Sequence, residues 1–270
     1  MSLDVSATVI SYSDFSDSSG LQFNYDATSN GSAIELSSGR YSSGSVFTSD
    51  TQSLNSNVSF SSFFSFVINN PLGWTDTDGI QGGDGLVFVL QTVSSTEGLP
   101  SGGGGLGYRN IQQSLGVEFD TWNNGTVDGN NGNHIGINTD GRINSIARSN
   151  ESSSFNNGSE YFVWVDYDGS NDVLSVAFNT IANKPTVANL SLNIDLTTTF
   201  SGTEVYAGFT ASSGGAGNTH TLTSFAFSSE YDTNFAARGI EVSEPGVTSL
   251  LVLVSCIFAA SAARRKSRKL

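Results

Sequence analysis

Glu118 and Asp120 stand two residues apart in Val117-Glu-Phe-Asp-Thr-Trp122, a segment whose aromatic and β-branched residues predict a strand. Side chains two apart on a strand share a face, so the two carboxylates project together. On a core-facing surface such a pair repels and is poorly solvated, and it needs a cation, a proton or water to be tolerated. The loop that follows supplies Asn124 and Asp128, and His134 opens the next predicted strand. Sorted by hardness, these ligands divide into two sets. Asp120, Asn124, Asp128 and the backbone carbonyl of Trp122 offer only oxygen, which suits Ca²⁺. Glu118, Asp120, Asp128 and His134 add one imidazole to carboxylates, which suits Mn²⁺ or another transition metal. Asp120 and Asp128 can bridge both ions. The competing reading makes residues 128–133 (DGNNGN) turn chemistry and the Glu118–Asp120 pair an exposed strand face.

Two glycine-rich segments flank this group. Gly82-Gly83-Asp84-Gly85 leads into an apolar strand, and Ser101 to Gly107 (SGGGGLG) precedes the acidic one. The second lacks the Lys-Ser/Thr ending of a phosphate-binding loop and opens no predicted helix, so it is weak as a nucleotide site.

The elements that must position these residues read as strands. Residues 60–68, 85–91, 117–122, 134–139, 161–167, 173–178, 204–211 and 222–227 are rich in aromatic and β-branched residues, and Gly, Asn, Asp and Ser clusters separate them. No stretch of helical period precedes Val247, which predicts an all-β antiparallel sandwich over residues 1–241. The 37% hydrophobic content is enough for a core. The 25 acidic residues all precede Gly246, where only six basic residues stand, so that body carries a formal charge of −19. Such a body repels phosphates, which argues against nucleic acid as a partner. Cys256 is the sole cysteine, which excludes a disulfide framework and cysteine-based zinc sites.

The order of these pieces resembles the L-type (legume-type) lectin family. Leu21-Gln-Phe-Asn-Tyr25 resembles its opening strand, Ser62 to Ile68 (SFFSFVI) its SFSFVI strand, and Gly83 to Phe88 (GDGLVF) its ADGLAFF segment. Val117 to Asn124 with Asn133 to Ile137 (NHIGI) is similar to its metal motif, and Val163 to Gly169, Ala207 to Gly214 and His220 to Phe227 resemble its late strands. The resemblance implies a concanavalin-like jelly-roll sandwich with Ca²⁺ and a transition metal beside a shallow sugar pocket. Carried over, Glu118, Asp120, Asp128 and His134 hold the transition metal. Asp120, Trp122, Asn124 and Asp128 hold Ca²⁺, with Asn130 or Asn131 as substitutes for Asp128. Asp84, after a cis peptide, accepts from sugar hydroxyls. Asn124 and the Gly104 N–H donate, Trp122 stacks on the sugar, and Gly214 and Gly215 supply a further wall. The implied function is non-catalytic binding of glycans or exopolysaccharide, strengthened by several copies on a surface or in a homo-oligomer.

The end of the chain is different in kind. Val247 to Ala263 is seventeen residues without a charge, at the lower limit for a membrane-spanning helix, and residues 264–270 (RRKSRKL) form a basic tail on its cytoplasmic side. Val242-Ser-Glu-Pro245 precedes it, and the whole resembles the bacterial PEP-CTERM sorting signal, with Ser243 where Pro is usual. That resemblance implies export to the cell surface or extracellular matrix, with a membrane anchor cut by a sorting transpeptidase. Met1 to Tyr12 shows no signal peptide.

Two other functions compete. Laminarinase-like hydrolases on a similar sandwich place two Glu around an Asp (E-x-D-x-x-E), but Asn123 stands where the second Glu is needed. A structural or adhesive sandwich without sugar binding is the other. Elsewhere His220 reads as a strand or loop residue, Trp74 and Trp164 as core or rim, Asp76 and Asp78 as turn residues, and Glu160 and Asp166 as solvated.

Overall fold

The computed structural model describes residues 8–97, 101–237 and 239–240. In chain order the strands are β1 (Val9–Tyr12), β2 (Leu21–Tyr25), β3 (Thr28–Ser29), β4 (Ile34–Gly39), β5 (Ser43–Thr48), β6 (Gln52–Ser53), β7 (Phe60–Gly73), β8 (Gly85–Gln91), β9 (Ser114–Asp120), β10 (His134–Thr139), β11 (Ala147–Asn150), β12 (Glu160–Asp168), β13 (Val173–Asn179), β14 (Leu190–Asn193), β15 (Glu204–Ser212) and β16 (Ala216–Ser228). Among the described residues the only helical segments are three short 3₁₀ turns, as the lack of helical period predicts. No helix among them is long and apolar enough to cross a membrane. The sorting motif at 242–246, the apolar run at 247–263 and the basic tail lie outside the described residues.

The strands form two antiparallel sheets. A back sheet runs β14-β13-β12-β7-β16-β4-β3, with β1 pairing β16. A front sheet runs β11-β10-β9-β8-β15-β5-β2, with β6 pairing β15. Alternation explains why they pack: Phe60, Phe64 and Phe66 of β7, Val163 and Val165 of β12, and Phe225 and Phe227 of β16 turn inward from the back sheet. Leu86 and Phe88 of β8, Val117 and Phe119 of β9, and Phe209 of β15 meet them from the front. Aromatic rings cross the gap edge to face, with Phe64 and Phe209 centroids 4.9 Å apart.

The front sheet is buried on its other face as well. Val87, Val89, Phe47 and the loop residues Leu106, Tyr108 and Ile111 form a second, smaller core there. The loop carrying the glycine run thus lies against the front sheet, and Tyr108 pins it by a bond between its hydroxyl and Ser114 Oγ, 2.9 Å.

Candidate functional site

Three neighbouring front-sheet strands carry the acidic group. Their register sets Asp120 between Gly85 of β8 and His134 of β10, and Glu118 between Val87 and Gly136. Glu118, Asp120 and His134 therefore share one face, and Val117, Phe119 and Ile135 fill the inter-sheet core from the other. This corrects the expectation of a core-facing pair: the carboxylates point away from the main core and are buried by loops on the opposite side. Exposure is 1% for Glu118, 2% for Asp120, 3% for Asp128 and 0% for His134.

Asp120, Asp128 and His134 each offer a ligand atom within 4.8 Å of the others. Glu118 lies at the margin of this cluster. Its Oε1 is 3.3 Å from His134 Nε2 and accepts from Ser145 Oγ, and its Oε2 accepts from Asn138 Nδ2 at 2.6 Å. Asp120 Oδ1 accepts from the Trp122 N–H at 2.7 Å, and Asp128 Oδ2 accepts from the Asn124 N–H, so the loop folds back onto the carboxylates. Burial pushes the Asp120 carboxyl well above its ordinary value, reinforced by Asp128 and Glu118. Burial likewise raises Asp128 to about 6, against the Asn124 N–H and His134, which lower it.

The residues present fit a cation. The carboxylates are dry and crowded, their donors are oxygen and imidazole, and the buried His134 Nδ1 has no hydrogen-bond partner. Asp128 joins the cluster, whereas Asn130 and Asn131 line a separate cleft of about 450 Å³ with Thr77, Asp78 and Glu151.

Asp84 sits beside this group, at the start of β8. The Gly83–Asp84 peptide is cis. Asp84 is 4% exposed. Its Oδ2 accepts from the Gly214 N–H at 2.7 Å, and its backbone carbonyl accepts from the Thr121 N–H at 2.7 Å. The Ser213 hydroxyl donates to the Gly83 carbonyl at 3.0 Å. Burial raises the Asp84 carboxyl to about 7 against the Gly214 bond, with Asp128 and Asp76 adding to the rise. The glycine loop closes the space between Asp84 and Asn124. A Cβ on Gly103 would stand 3.8 Å from both Asp84 carboxylate oxygens, and a Cβ on Gly104 would overlap the Asn124 amide. Only glycine permits that approach. Trp122 is half-buried, with Cε3 of its ring 3.3 Å from where a Cβ on Gly83 would be. The fold thus brings Asp84, Gly104, Trp122, Asn124 and Gly214 to one end of the front sheet, next to the acidic cluster. Gly215 follows Gly214 on the rim.

A legume lectin domain model matches residues 7–241. The chain belongs to the legume lectin family. This lectin chain is 30% identical over 184 residues to the L-type lectin-domain containing receptor kinase VIII.1 of Arabidopsis thaliana, covering 67% of this chain and 25% of that protein. It is 33% identical to favin of Vicia faba over 178 residues, covering 63% of this chain and 70% of favin. Among solved structures, basic winged bean lectin with Tn-antigen superposes with a TM-score of 0.68 at 26% identity, covering 82% of this chain and 98% of that one. The chain spans about a quarter of the length of the receptor kinases it matches.

The fold also places the residues that the sequence reading set aside, some as read and some not. Asp76, read as a turn residue, is 8% exposed and accepts from the Asn123 N–H at 2.8 Å and the Thr77 N–H at 2.6 Å, so it fastens the loop after β9. Asn133 ties the start of β10 to the carbonyls of Glu151 and Ser153. Trp164 is buried on β12, whereas Trp74 is 61% exposed at the rim. His220 is a strand residue of β16, its burial lowering the imidazole to about 3. Asp166, read as solvated, is buried and paired with Lys184. Partners far apart in sequence decide each of these placements.

Proposed function

We propose that this legume lectin chain is a non-catalytic carbohydrate-binding domain whose sugar site depends on Ca²⁺ and a transition metal. The observation that carries the reading is the Asp84 carboxylate. It is fixed by the Gly214 N–H and by backbone bonds to Thr121 and Ser212, with the glycine loop and Asn124 opposite. Asp84 accepts from sugar hydroxyls, the Gly104 N–H and the Asn124 amide donate, and Trp122 offers an apolar face to the sugar C–H surface. Glu118, Asp120, Asp128 and His134 hold the transition metal, and Asp120, Asn124, Asp128 and the Trp122 carbonyl hold Ca²⁺. When bound, the ions supply positive charge that neutralises the crowded carboxylates and locks the loop from Trp122 to Asp128 in place. Burial is the main cause that raises the Asp84 carboxyl and Asp128 adds to it, so neutralising Asp128 with an ion favours the ionised, hydroxyl-accepting form of Asp84.

Hydrolysis by the E-x-D-x-x-E scheme lacks its second glutamate. Asn123 occupies that position, and its side chain is engaged with the Gly125 N–H at 2.8 Å and the Thr77 hydroxyl at 3.0 Å. Glycosidic cleavage by paired carboxylates requires two of them flanking the bond.

Monosaccharide affinity is modest, because water competes for every hydroxyl, and useful avidity comes from several copies. The export, surface location, anchoring helix and transpeptidase processing rest on the sequence of residues 242–270.

A glycan array probed with the metal-loaded protein, and again after exhaustive chelation, tests the reading. Glycan signal is expected only with the ions, while far-UV circular dichroism keeps its β signature in both states. Undiminished glycan binding after chelation would overturn the metal dependence, and no binding to any glycan would overturn the whole reading.

A further inference from the structure

Trp74 stands apart from the residues assigned above, yet the fold delivers it to the same rim. Its indole is 61% exposed. Three consecutive ring atoms, Cε3, Cζ3 and Cη2, each lie 2.8 Å from where a Cβ on Gly215 would stand, so the ring lays a face on that glycine. Any larger residue at 215 would displace it. At this exposure the opposite face is open to solvent.

The ring is also held at its backbone. The Trp74 N–H donates to the Gly215 carbonyl at 3.4 Å, and the Trp74 carbonyl accepts from the Gly82 N–H at 3.2 Å. The Arg40 Nε donates to the same Gly215 carbonyl at 2.8 Å. Gly214, the residue before Gly215, is the one whose N–H fixes Asp84. Standard chain spacing between neighbouring residues then limits the distance from the Trp74 ring to the Asp84 carboxylate to about 13 Å. An oligosaccharide of two or three hexoses reaches across any separation within that bound. Tyr41, 71% exposed, borders the same loop, with its N–H bonded to the Gly214 carbonyl at 3.1 Å.

An exposed indole usually sacrifices conformational freedom when it binds. Here the ring is already positioned against backbone, so that cost is largely met before a ligand arrives. Its free face is apolar, and its fringe is polar: Arg40, bonded to the carbonyl of the same Gly215, brings a guanidinium there. An apolar plane with donors at its edge matches a pyranose, which has a C–H face and an equatorial belt of hydroxyls. It matches an extended apolar protein surface poorly.

We propose that Trp74 is the stacking platform for a second or third pyranose residue, so that the ligand is an oligosaccharide whose first residue occupies the Asp84–Gly104–Asn124 pocket. This rests on the lectin reading above and specifies the size of its ligand. Gly215 is kept small to let the platform lie flat.

The test uses the metal-loaded protein and methyl glycosides of galactose, mannose and N-acetylgalactosamine, each set against di- and trisaccharides extended from the same residue. Calorimetry is expected to show the extended ligand binding more tightly than its methyl glycoside. Trp74→Ala should cost the extended ligand about five- to tenfold in affinity and leave the methyl glycoside within about twofold. Trp74→Phe should restore most of the loss. In the unmutated protein the Trp74 indole N–H resonance should shift with the trisaccharide and stay still with the methyl glycoside, a readout that needs no variant to fold. Equal losses for both ligands, no loss for either, or an unmoved indole resonance would overturn the platform. Asp84→Asn distinguishes the two levels: loss of both ligands supports the primary pocket, and full retention of the methyl glycoside overturns that pocket and the platform with it.

Discussion

On the outer face of the back sheet, Asp166 is buried with its Oδ2 2.7 Å from the Lys184 ammonium. On the outer face of the front sheet, Asp120 and Asp128 are buried beside each other and His134, with Arg148 the one guanidinium acting on Asp128. Burial raises the carboxyl in both places, but Lys184 opposes the rise at Asp166, and neighbouring carboxylates add to it at Asp120. One region neutralises its charge with a residue of the same chain. The other assembles negative charge without enough cationic side chains to match it. Two ionised carboxylates within 5 Å would repel by about 3 kcal/mol at an effective dielectric near 20, which is why the Asp120 carboxyl holds its proton until a cation takes its place. The difference teaches that the front cluster is incomplete as a purely structural device, whereas Asp166 has a cation of its own chain as partner.

Removing the carboxylate that belongs to both proposed ion sites should break the contrast most severely. Asp120→Asn is expected to weaken Ca²⁺ and Mn²⁺ binding by roughly 100-fold or more, since that side chain serves both ligand sets, and to abolish glycan binding. Titration calorimetry with each ion checks this, and near-native ion affinity in the variant would refute the bridging role. The back-sheet pair should respond in the opposite currency. Lys184→Met strands a buried carboxylate and is expected to cost about 3 kcal/mol of stability in urea melts, with ion and glycan affinities unchanged. Adding Asp166→Leu to that variant should recover most of the loss.

A pH series sharpens the comparison. In the ion-free protein Asp84 is raised to about 7 and Asp128 to about 6, both from about 3.8. The folded protein therefore holds these protons more tightly than the unfolded chain does. The resulting stability is complete below about pH 4 and is lost as pH rises to about 7. The ion-free Tm should drop by a few degrees between pH 5 and pH 8, and Ca²⁺ with Mn²⁺ should flatten or reverse that slope. A calorimetric Tm indifferent to pH without ions would show the carboxyls to be ordinary. The smallest effect is expected at Asp76→Ala, which removes the acceptor for the Asn123 and Thr77 N–H groups. About a fivefold loss of glycan affinity, near 1 kcal/mol for one buried acceptor, should appear with little change in Tm.

Strands with concentrated apolar residues were legible in the sequence: residues 85–91 and 134–139 are β8 and β10 to the residue. β4 and β5 were not singled out, because IELSSG and SGSVFT carry the serine and glycine of loops. Yet every residue of β5 is buried, since the front sheet is covered on both faces. Small side chains there reflect crowding, which composition alone cannot separate from turn propensity. The shared face of Glu118 and Asp120 followed from a spacing of two. The approach of Asp84 did not, because the pairing of β8 with β9 joins Gly85 to Asp120, far apart in sequence, and only the family resemblance pointed to it. Trp74 and Asp166 were misjudged or left open for the same reason. The exposure of one is set by Gly215, and the burial of the other by Lys184 on the far side of a hairpin.

The position of β16 has a consequence for how this molecule comes into being. This strand, the last among the described residues, lies in the interior of the back sheet, with β7 on one side and β4 on the other, and pairs Phe225 with Phe64 across 160 residues of chain. During synthesis the back sheet cannot close until residue 228 has emerged. Until then β7 and β4 present open edges and a bare row of phenylalanines. Such distant pairing makes folding slow, on a scale of milliseconds to seconds. The nascent chain must be kept from its neighbours for that interval, and a version truncated before residue 216 should accumulate as aggregate.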